Sequence, residues 1–328
     1  MILAGDIGGT NTRLARGAPD AAGRLRLFDA ASYPSREHAG LEEIVERYRG
    51  EHPGPVEAAS FGVAGPVRGG VVRTTNLPWI IESGRVAGRL GLPSVGLLND
   101  LEANAWGLAG LGPEDLLILA AGSPGASGNS AIIAAGTGLG EAGLFWDGQR
   151  HLPFATEGGH ADFAPRDETE DGLLRWLRAR LGRVSWERVV SGPGLVSICT
   201  YLSERGDRPE DAALSEAMRR GDPAAAITRA ATEGRSPLAG AALDLFISAY
   251  GAEAGNLALV TMATGGLYVG GGIAPRIATR LAQGRFMQSF TDKGRMRPLM
   301  ESIPVRVVLN DQTALLGAAR HAAAGMGA

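Results

Sequence analysis

The apolar positions of this chain first cluster in Ile2, Leu3 and Ala4, break at Gly5, Asp6 and a group of glycines, and resume at Leu14 and Ala15. That pattern predicts two strands folded about a glycine turn. The same theme returns in Ser130 to Phe145, "SAIIAAGTGLGEAGLF". Between the two copies, Leu41, Ile44, Val45 and Tyr48 recur at helical spacing, and "ASFGVAG" reads as a strand. Ser94 to Leu98 reads as a short buried strand, followed by a helix to about Gly110, with a boundary at Gly112 and Pro113. From Glu170 to about Val260 helical patterns dominate: Leu173, Leu174, Leu177 and Leu181 share one face, and Leu243, Phe246 and Ile247 another. Gly206 to Pro209 and Gly221 to Pro223 read as turns joining helices, and Ala120 to Ala131 as a Gly/Ser turn between strands. "GGLYVGGGIAP" returns to strand and loop, and the chain closes with the strand "PVRVVL" and a helix from Asp311. The late strand and helix are expected to pack on the first domain.

Length and charge narrow this picture. The chain has 328 residues, enough for about two domains with their own cores. A net charge of −3 supplies no basic field for nucleic acid. The single cysteine, Cys199, excludes an internal disulfide and a cysteine-based zinc cluster. It shares helical spacing with Leu195, Ile198 and Leu202 and reads as a core residue in a reducing, cytoplasmic protein. Asp6 and its glycines interrupt the first apolar run too early for a signal peptide or anchor. Ala254 to Pro275 is uncharged and long enough to span a bilayer, but its glycines, proline and polar residues argue for a helix end, a turn, a strand and a loop.

The two glycine turns carry candidate chemistry. Glycines let backbone N–H groups approach an anion closely, so each turn is either an ordinary hairpin or a cradle for phosphate. Asp6 in the first turn would repel phosphate and is suited to holding magnesium through water. No G-x-x-x-x-G-K-[ST] is present, no G-x-G-x-x-G leads from a strand into a helix, and G-x-S-x-G and H-E-x-x-H are lacking. Phosphoryl transfer by positioning, with a carboxylate base, is the class that remains. Asn99 and Asp100 stand where the short strand ends, the place where open α/β sheets bind ligands. Asn99 and Glu102 also have the spacing of a helix cap and its returning partner. Leu309, Asn310 and Asp311 repeat the same three letters, leaving open which aspartate, if either, does chemistry. In "LPFATEGGHADFAP", Glu157 and His160 flank two glycines; they suit a structural hydrogen bond or a polyhydroxyl ligand, which needs donors and acceptors together. Glu187, with Trp186, Val189 and Val190 facing the core, reads by itself as a solvated surface acid.

Taken in order, "GDIGGTN", "GVAGPV", "TNLPW", "LLND", "GTGLG", "EGGHADFAP", "RVVSGPGL", "GGGIAPR", "DKGR" and the final "LLGAA" resemble the bacterial glucokinases, of the sugar-kinase, actin and heat-shock-chaperone ATPase superfamily. Each motif is weak alone; the ordered set covers nearly the whole chain. The resemblance implies an α/β, two-domain sugar-kinase and actin-like ATPase fold with an interdomain cleft: residues 1–110 plus 301–328 as a small α/β domain, 111–300 as a large α+β domain. It implies that Asp100 is the base that takes the proton from the 6-hydroxyl of glucose as it attacks ATP, and that Asn99, Glu157, His160 and Glu187 contact the sugar with it. Asp6, Gly8, Gly9, Thr10 and Asn11 match the first phosphate loop, Gly136, Thr137 and Gly138 the second, and Gly270, Gly271 and Gly272 the nucleoside loop. ATP and Mg2+ are the implied cosubstrate and metal, with Asp6 meeting the magnesium through water, and a homodimer is implied by likeness only. Asp311 carries no sugar role in the resemblance and is read as a cap. Related sugar kinases carry a Cys-rich zinc loop after their histidine; "HADFAPRDETEDG" has none, favouring the zinc-free glucokinase branch. The split phosphate loops motivate closure of the two domains on the sugar.

Two other readings remain. A kinase for mannose, fructose or an amino sugar would use the same residues, because Glu157 and Glu187 can accept several hydroxyl patterns. A sugar-sensing protein on the kinase fold usually carries an N-terminal DNA-binding module, and the first phosphate loop begins here at Gly5.

Overall fold

The computed structural model describes residues 1–21, 23–74, 76–206 and 211–326. Thr75 of "TNLPW" and most of the turn expected over Gly206 to Pro209 lie outside them. The chain forms two compact units: Met1–Glu114 with Leu152–Ala155 and Asn310–Ala328, and Asp115–His151 with Thr156–Leu309. No helix among the described residues is long and apolar enough to cross a membrane.

The strands of the first unit are β1 (Ile2–Ile7), β2 (Asn11–Pro19), β3 (Leu25–Pro34), β4 (Ala58–Val63), β5 (Val67–Arg68), β6 (Val71–Arg73), β7 (Ile80–Glu82) and β8 (Gly96–Asn99). The main sheet has the order β3-β2-β1-β4-β8, and β5, β6 and β7 form a small sheet of their own. β1 and β2 are the predicted glycine-turn hairpin, antiparallel with Ile7 opposite Thr12; β4 and β8 add in parallel. Strand alternation sends Leu3, Ile7 and Leu14 to one face, against Phe61 and helix Leu41–Glu51, whose Leu41, Ile44, Val45 and Tyr48 are all buried as expected. Ile2, Ala4 and Ala15 point the other way, onto Leu315, Ala318, Ala319 and Ala322 of the final helix, Thr313–Gly325. A sheet covered on both faces accounts for the burial of its central strands β1 and β4 almost throughout.

The second unit holds β9 (Leu116–Ala120), β10 (Ser130–Ala135) and β11 (Leu139–Trp146); β12 (His151–Thr156) straddles the unit boundary, and β13 (Gly266–Gly270) and β14 (Val305–Val308) follow. β11, β10, β13, β14 and β9 are neighbours in that order. The β10–β11 hairpin is antiparallel and β13 and β14 add in parallel, so each unit builds a glycine-turn hairpin followed by two parallel strands. Helices Glu168–Leu181, Gly192–Arg205, Ala212–Arg220, Pro223–Thr232 and Pro237–Thr261 fill the predicted helical region. Pro237–Thr261 is apolar nearly all round and buries Leu243, Phe246, Ile247 and Tyr250, as a central helix must. Leu181 departs from its expected face: it ends its helix 46% exposed, while Leu173 and Leu177 are buried. The C-terminal segment divides, with β14 paired to β13 and β9 and the final helix packed on β1, β4 and helix Asp100–Leu108.

Candidate active site

In the first unit, the turn between β1 and β2 is closed by Gly8 N–H donating to Asn11 O at 3.0 Å. Ser35 secures it from outside: its hydroxyl donates to Gly8 O at 2.8 Å and its N–H to Thr10 O at 2.9 Å. A Cβ on Gly9 would stand 2.7 Å from the Asn76 side chain, and one on Gly8 3.1 Å from Asn11 O, so the close approach itself requires glycine. Thr10 and Asn11 are exposed at the tip. Asp6 lies just inside, where Arg13 pairs with it at 3.1 Å and with Asp311 at 3.2 Å. Burial pushes the Asp6 carboxyl above the usual range, and the opposing pull of Arg13 does not overcome it.

Asn99 ends β8 and caps helix Asp100–Leu108. Its Oδ1 accepts from Leu101 N–H at 2.8 Å, its Nδ2 donates to Gly65 O at 3.3 Å, and Glu102 reaches back to the Asn99 backbone. The capping reading of Asn99 and Glu102 is therefore correct, and it has a consequence for Asp100. The cap fixes Asp100 as the first helical residue, with Oδ1 accepting from Leu101 N–H at 3.0 Å, at the end of the helix that favours negative charge. The echo at Leu309 to Asp311 follows β14, as Leu98 to Asp100 ends β8; each closes the parallel series of its sheet. Asp311 is not a cap, however. The final helix begins later, at Thr313; Asn310 Oδ1 accepts from Gln312 N–H at 2.8 Å, and Asp311, its side chain 82% exposed, pairs with Arg13.

In the second unit, Gly136, Thr137 and Gly138 turn between β10 and β11, with Gly136 N–H donating to Gly138 O at 2.9 Å. A Cβ on Gly136 or Gly272 would meet only open space, so both loops leave room for a ligand at those positions. Gly271 has φ +83°, and a Cβ there would collide with Ala135 O. The buried Tyr250 hydroxyl lies 3.1 Å from Ala135 N and 3.2 Å from both Ile133 O and Gly270 O, tying the end of β10, just before the second glycine turn, to the end of β13. Glu187 is not a solvated surface acid: its Oε2 accepts from Leu139 N–H at 3.2 Å, and a side chain on Gly138 would collide with it. A Cβ on Gly159 would collide with Leu139 O, so the "EGGH" turn seats on the same residue. Glu157 and His160 flank that turn, 3.8 Å apart and exposed. Trp186 N–H donates to Ala161 O at 3.0 Å, joining this turn to the one carrying Glu187. The structure thus gathers Glu157, His160 and Glu187 around the start of β11, directly after the second glycine turn.

Arg13, Ser35, Tyr250 and Glu141 escaped the sequence reading. Glu141 left a signal, as the only charged residue in the apolar strand "LGEAGLFW"; except for Asp6, which pairs with Arg13, the partners of the others are far away in sequence. Among the described residues no group of three or more His, Cys, Asp or Glu could hold a metal ion. An ion that arrives with nucleotide phosphates needs few protein ligands, and the acid of the first glycine turn is Asp6, its carboxyl paired with Arg13.

A family model described as Glucokinase matches residues 3–325. The glucokinase of Synechocystis sp. (strain ATCC 27184 / PCC 6803 / Kazusa) is 45% identical over 347 residues, 98% of each chain being covered. Among solved structures, a glucokinase from an Antarctic psychrotroph superposes with a TM-score of 0.85 at 31% identity, covering 98% of both chains. A ROK family glucokinase from Streptomyces griseus in complex with glucose and AMPPNP superposes with a TM-score of 0.69 at 26% identity, covering 99% of both. The α/β fold is that of these sugar kinases, the two-domain, actin-like ATPase fold.

Proposed function

The chain belongs to the glucokinase family, and from that premise we propose that it transfers the γ-phosphoryl group of ATP to the 6-hydroxyl of glucose, with Asp100 as the general base. The placement of Asp100 by the Asn99 cap carries the choice of base: the cap leaves the carboxylate at the first helical turn, at the carboxyl end of a parallel strand. A base so held removes the hydroxyl proton as the oxygen attacks, a contribution of about 10² to 10⁴ in rate. Asn99, Glu157, His160 and Glu187 are the hexose contacts on this reading. The paired Glu157 carboxylate and His160 imidazole offer an acceptor and a second polar group to ring hydroxyls. On the same reading Asp6, Gly8, Gly9, Thr10 and Asn11 are the first set of phosphate contacts, Gly136, Thr137 and Gly138 the second, and Gly270, Gly271 and Gly272 the nucleoside contacts.

Magnesium bound with the nucleotide would be held by Asp6 through water and would neutralise charge on the phosphates. Support for Asp6 is its position beneath the first glycine turn, with Arg13 keeping its carboxyl in place. A cytoplasmic setting is supported by the lone, buried Cys199, and a homodimer by family likeness. Phosphorylation of a panel of hexoses with ATP and magnesium tests the function. Glucose should exceed mannose and fructose by at least about tenfold in kcat/KM, a barrier difference of roughly 1.4 kcal/mol. Activity confined to another hexose would replace the substrate, and glucose binding without turnover would make the chain a sensor.

A further inference from the structure

Glu141 is 3% exposed on β11, and Glu253, from helix Pro237–Thr261, is 4% exposed and within hydrogen-bonding reach of it. Two carboxylates cannot hydrogen-bond without a proton, and their surroundings decide which one carries it. Glu253 Oε2 accepts from Asn256 Nδ2 at 2.7 Å; Asn256 Oδ1 accepts from Lys293 Nζ at 2.5 Å, and Lys293 also donates to Ala252 O at 2.9 Å. Glu141 has no such support: apart from Glu253, its buried Oε1 has no hydrogen-bond partner among the described residues. The negative charge therefore belongs on Glu253 and the proton on Glu141. Burial raises both carboxyls; the Glu253 charge raises Glu141 further, whereas Asn256, Glu141 and Lys293 pull Glu253 back down.

The "EGGH" turn rests on Glu141. A Cβ on Gly158 would collide with Glu141 Oε2, so the carboxyl fills the space that the glycine leaves. Gly158 N–H donates to Thr156 Oγ1 at 3.3 Å, and Thr156 Oγ1 donates to Glu141 O at 3.1 Å. Glu141 thus bears on the turn through both its side chain and its backbone.

We propose that Glu141 is a positioning residue: as a neutral carboxylic acid donating to Glu253, it holds the Thr156–His160 turn in the form in which Glu157 and His160 meet the hexose. The proposal rests on the reading of those two residues as hexose contacts. Loss of the Glu141 proton puts a second negative charge in the buried pair, breaks its hydrogen bond and pushes against Gly158. The groups facing the pair are Tyr250 on the helix that carries Glu253 and Lys293 after helix Arg285–Thr291, with Arg166 acting on Lys293; Glu157 and His160 stand exposed on the turn itself.

Calorimetric titration of the full chain with glucose, repeated from about pH 7 to about pH 9, reads the effect without turnover. Wild type should lose affinity by about tenfold across that range. Glu141→Gln, whose amide can still donate to Glu253, should match wild type at about pH 7 and stay flat above it. Wild-type binding that does not change with pH, or a Glu141→Gln curve that follows wild type, overturns the positioning role. A wild type that binds no hexose at any pH overturns the functional reading and this role together. Should the variant fail to fold, infrared spectroscopy of wild type decides: a carboxylic-acid C=O band at about pH 7 that fades toward about pH 9 is expected, and its absence overturns the shared proton.

Discussion

Asp100 and Asp311 follow the same two letters, yet their surroundings separate them. Asp100 is fixed at a helix start by the Asn99 cap, whereas the mostly exposed Asp311 side chain answers to Arg13. Asp100→Asn keeps the shape of the side chain and removes the base, so kcat should fall by about 10² to 10⁴ while glucose affinity stays within about threefold. Asp311→Asn, measured beside it, should leave kcat within about threefold, since an exposed ion pair contributes little. Near wild-type turnover in Asp100→Asn would remove it as the base. The sequence made the cap legible, because Asn99 and Glu102 interact across three residues. It could not show that Arg13 reaches Asp311, 298 positions away, or that Glu187 turns inward to an amide 48 positions earlier. Local spacing carries information about local bonds, and these partners are assembled only by the tertiary fold.

Glycine-turn hairpins, buried parallel strands and the helix over Leu41–Glu51 were legible because each is dictated by its own apolar period. The close crossing of two helices was not, because glycines that serve a crossing look like any others in sequence. Helix Asp100–Leu108 meets the final helix where a Cβ on Gly107 would collide with Thr313 O, and one on Gly317 with Ala103 O. Backbone cannot yield as a flexible side chain does, so Gly317→Ala must shift the helices apart. The cost expected for such overpacking is about 1 to 3 kcal/mol. Because the displaced helix begins with Asp100, the variant should lose kcat as well as melting temperature. Gly240→Ala, where a Cβ meets open space on helix Pro237–Thr261, is the matched control and should gain stability slightly. If Gly317→Ala melts like wild type and turns over normally, the crossing does not position the base.

For the whole molecule, a family match over residues 3–325 makes glucose binding a property that should register in global stability. A ligand that binds only the native state stabilises it by about 2.7 kcal/mol at a hundred times its Kd. Spread over the unfolding entropy of 328 residues, that is a rise of roughly 4 °C in Tm. Glucose at that excess should produce the rise, and mannose or fructose at the same concentration a smaller one, because a pocket built to pair hydroxyls leaves its own polar groups unmatched against the wrong stereochemistry. Glu157→Gln and His160→Ala should each reduce the glucose shift while leaving the ligand-free Tm nearly unchanged, since both side chains are exposed. That separation is the decisive feature: residues whose work is recognition disturb the ligand's contribution and spare the fold. A glucose shift that survives both substitutions would move the hexose contacts elsewhere, and no shift with any hexose would leave the kinase reading without its substrate.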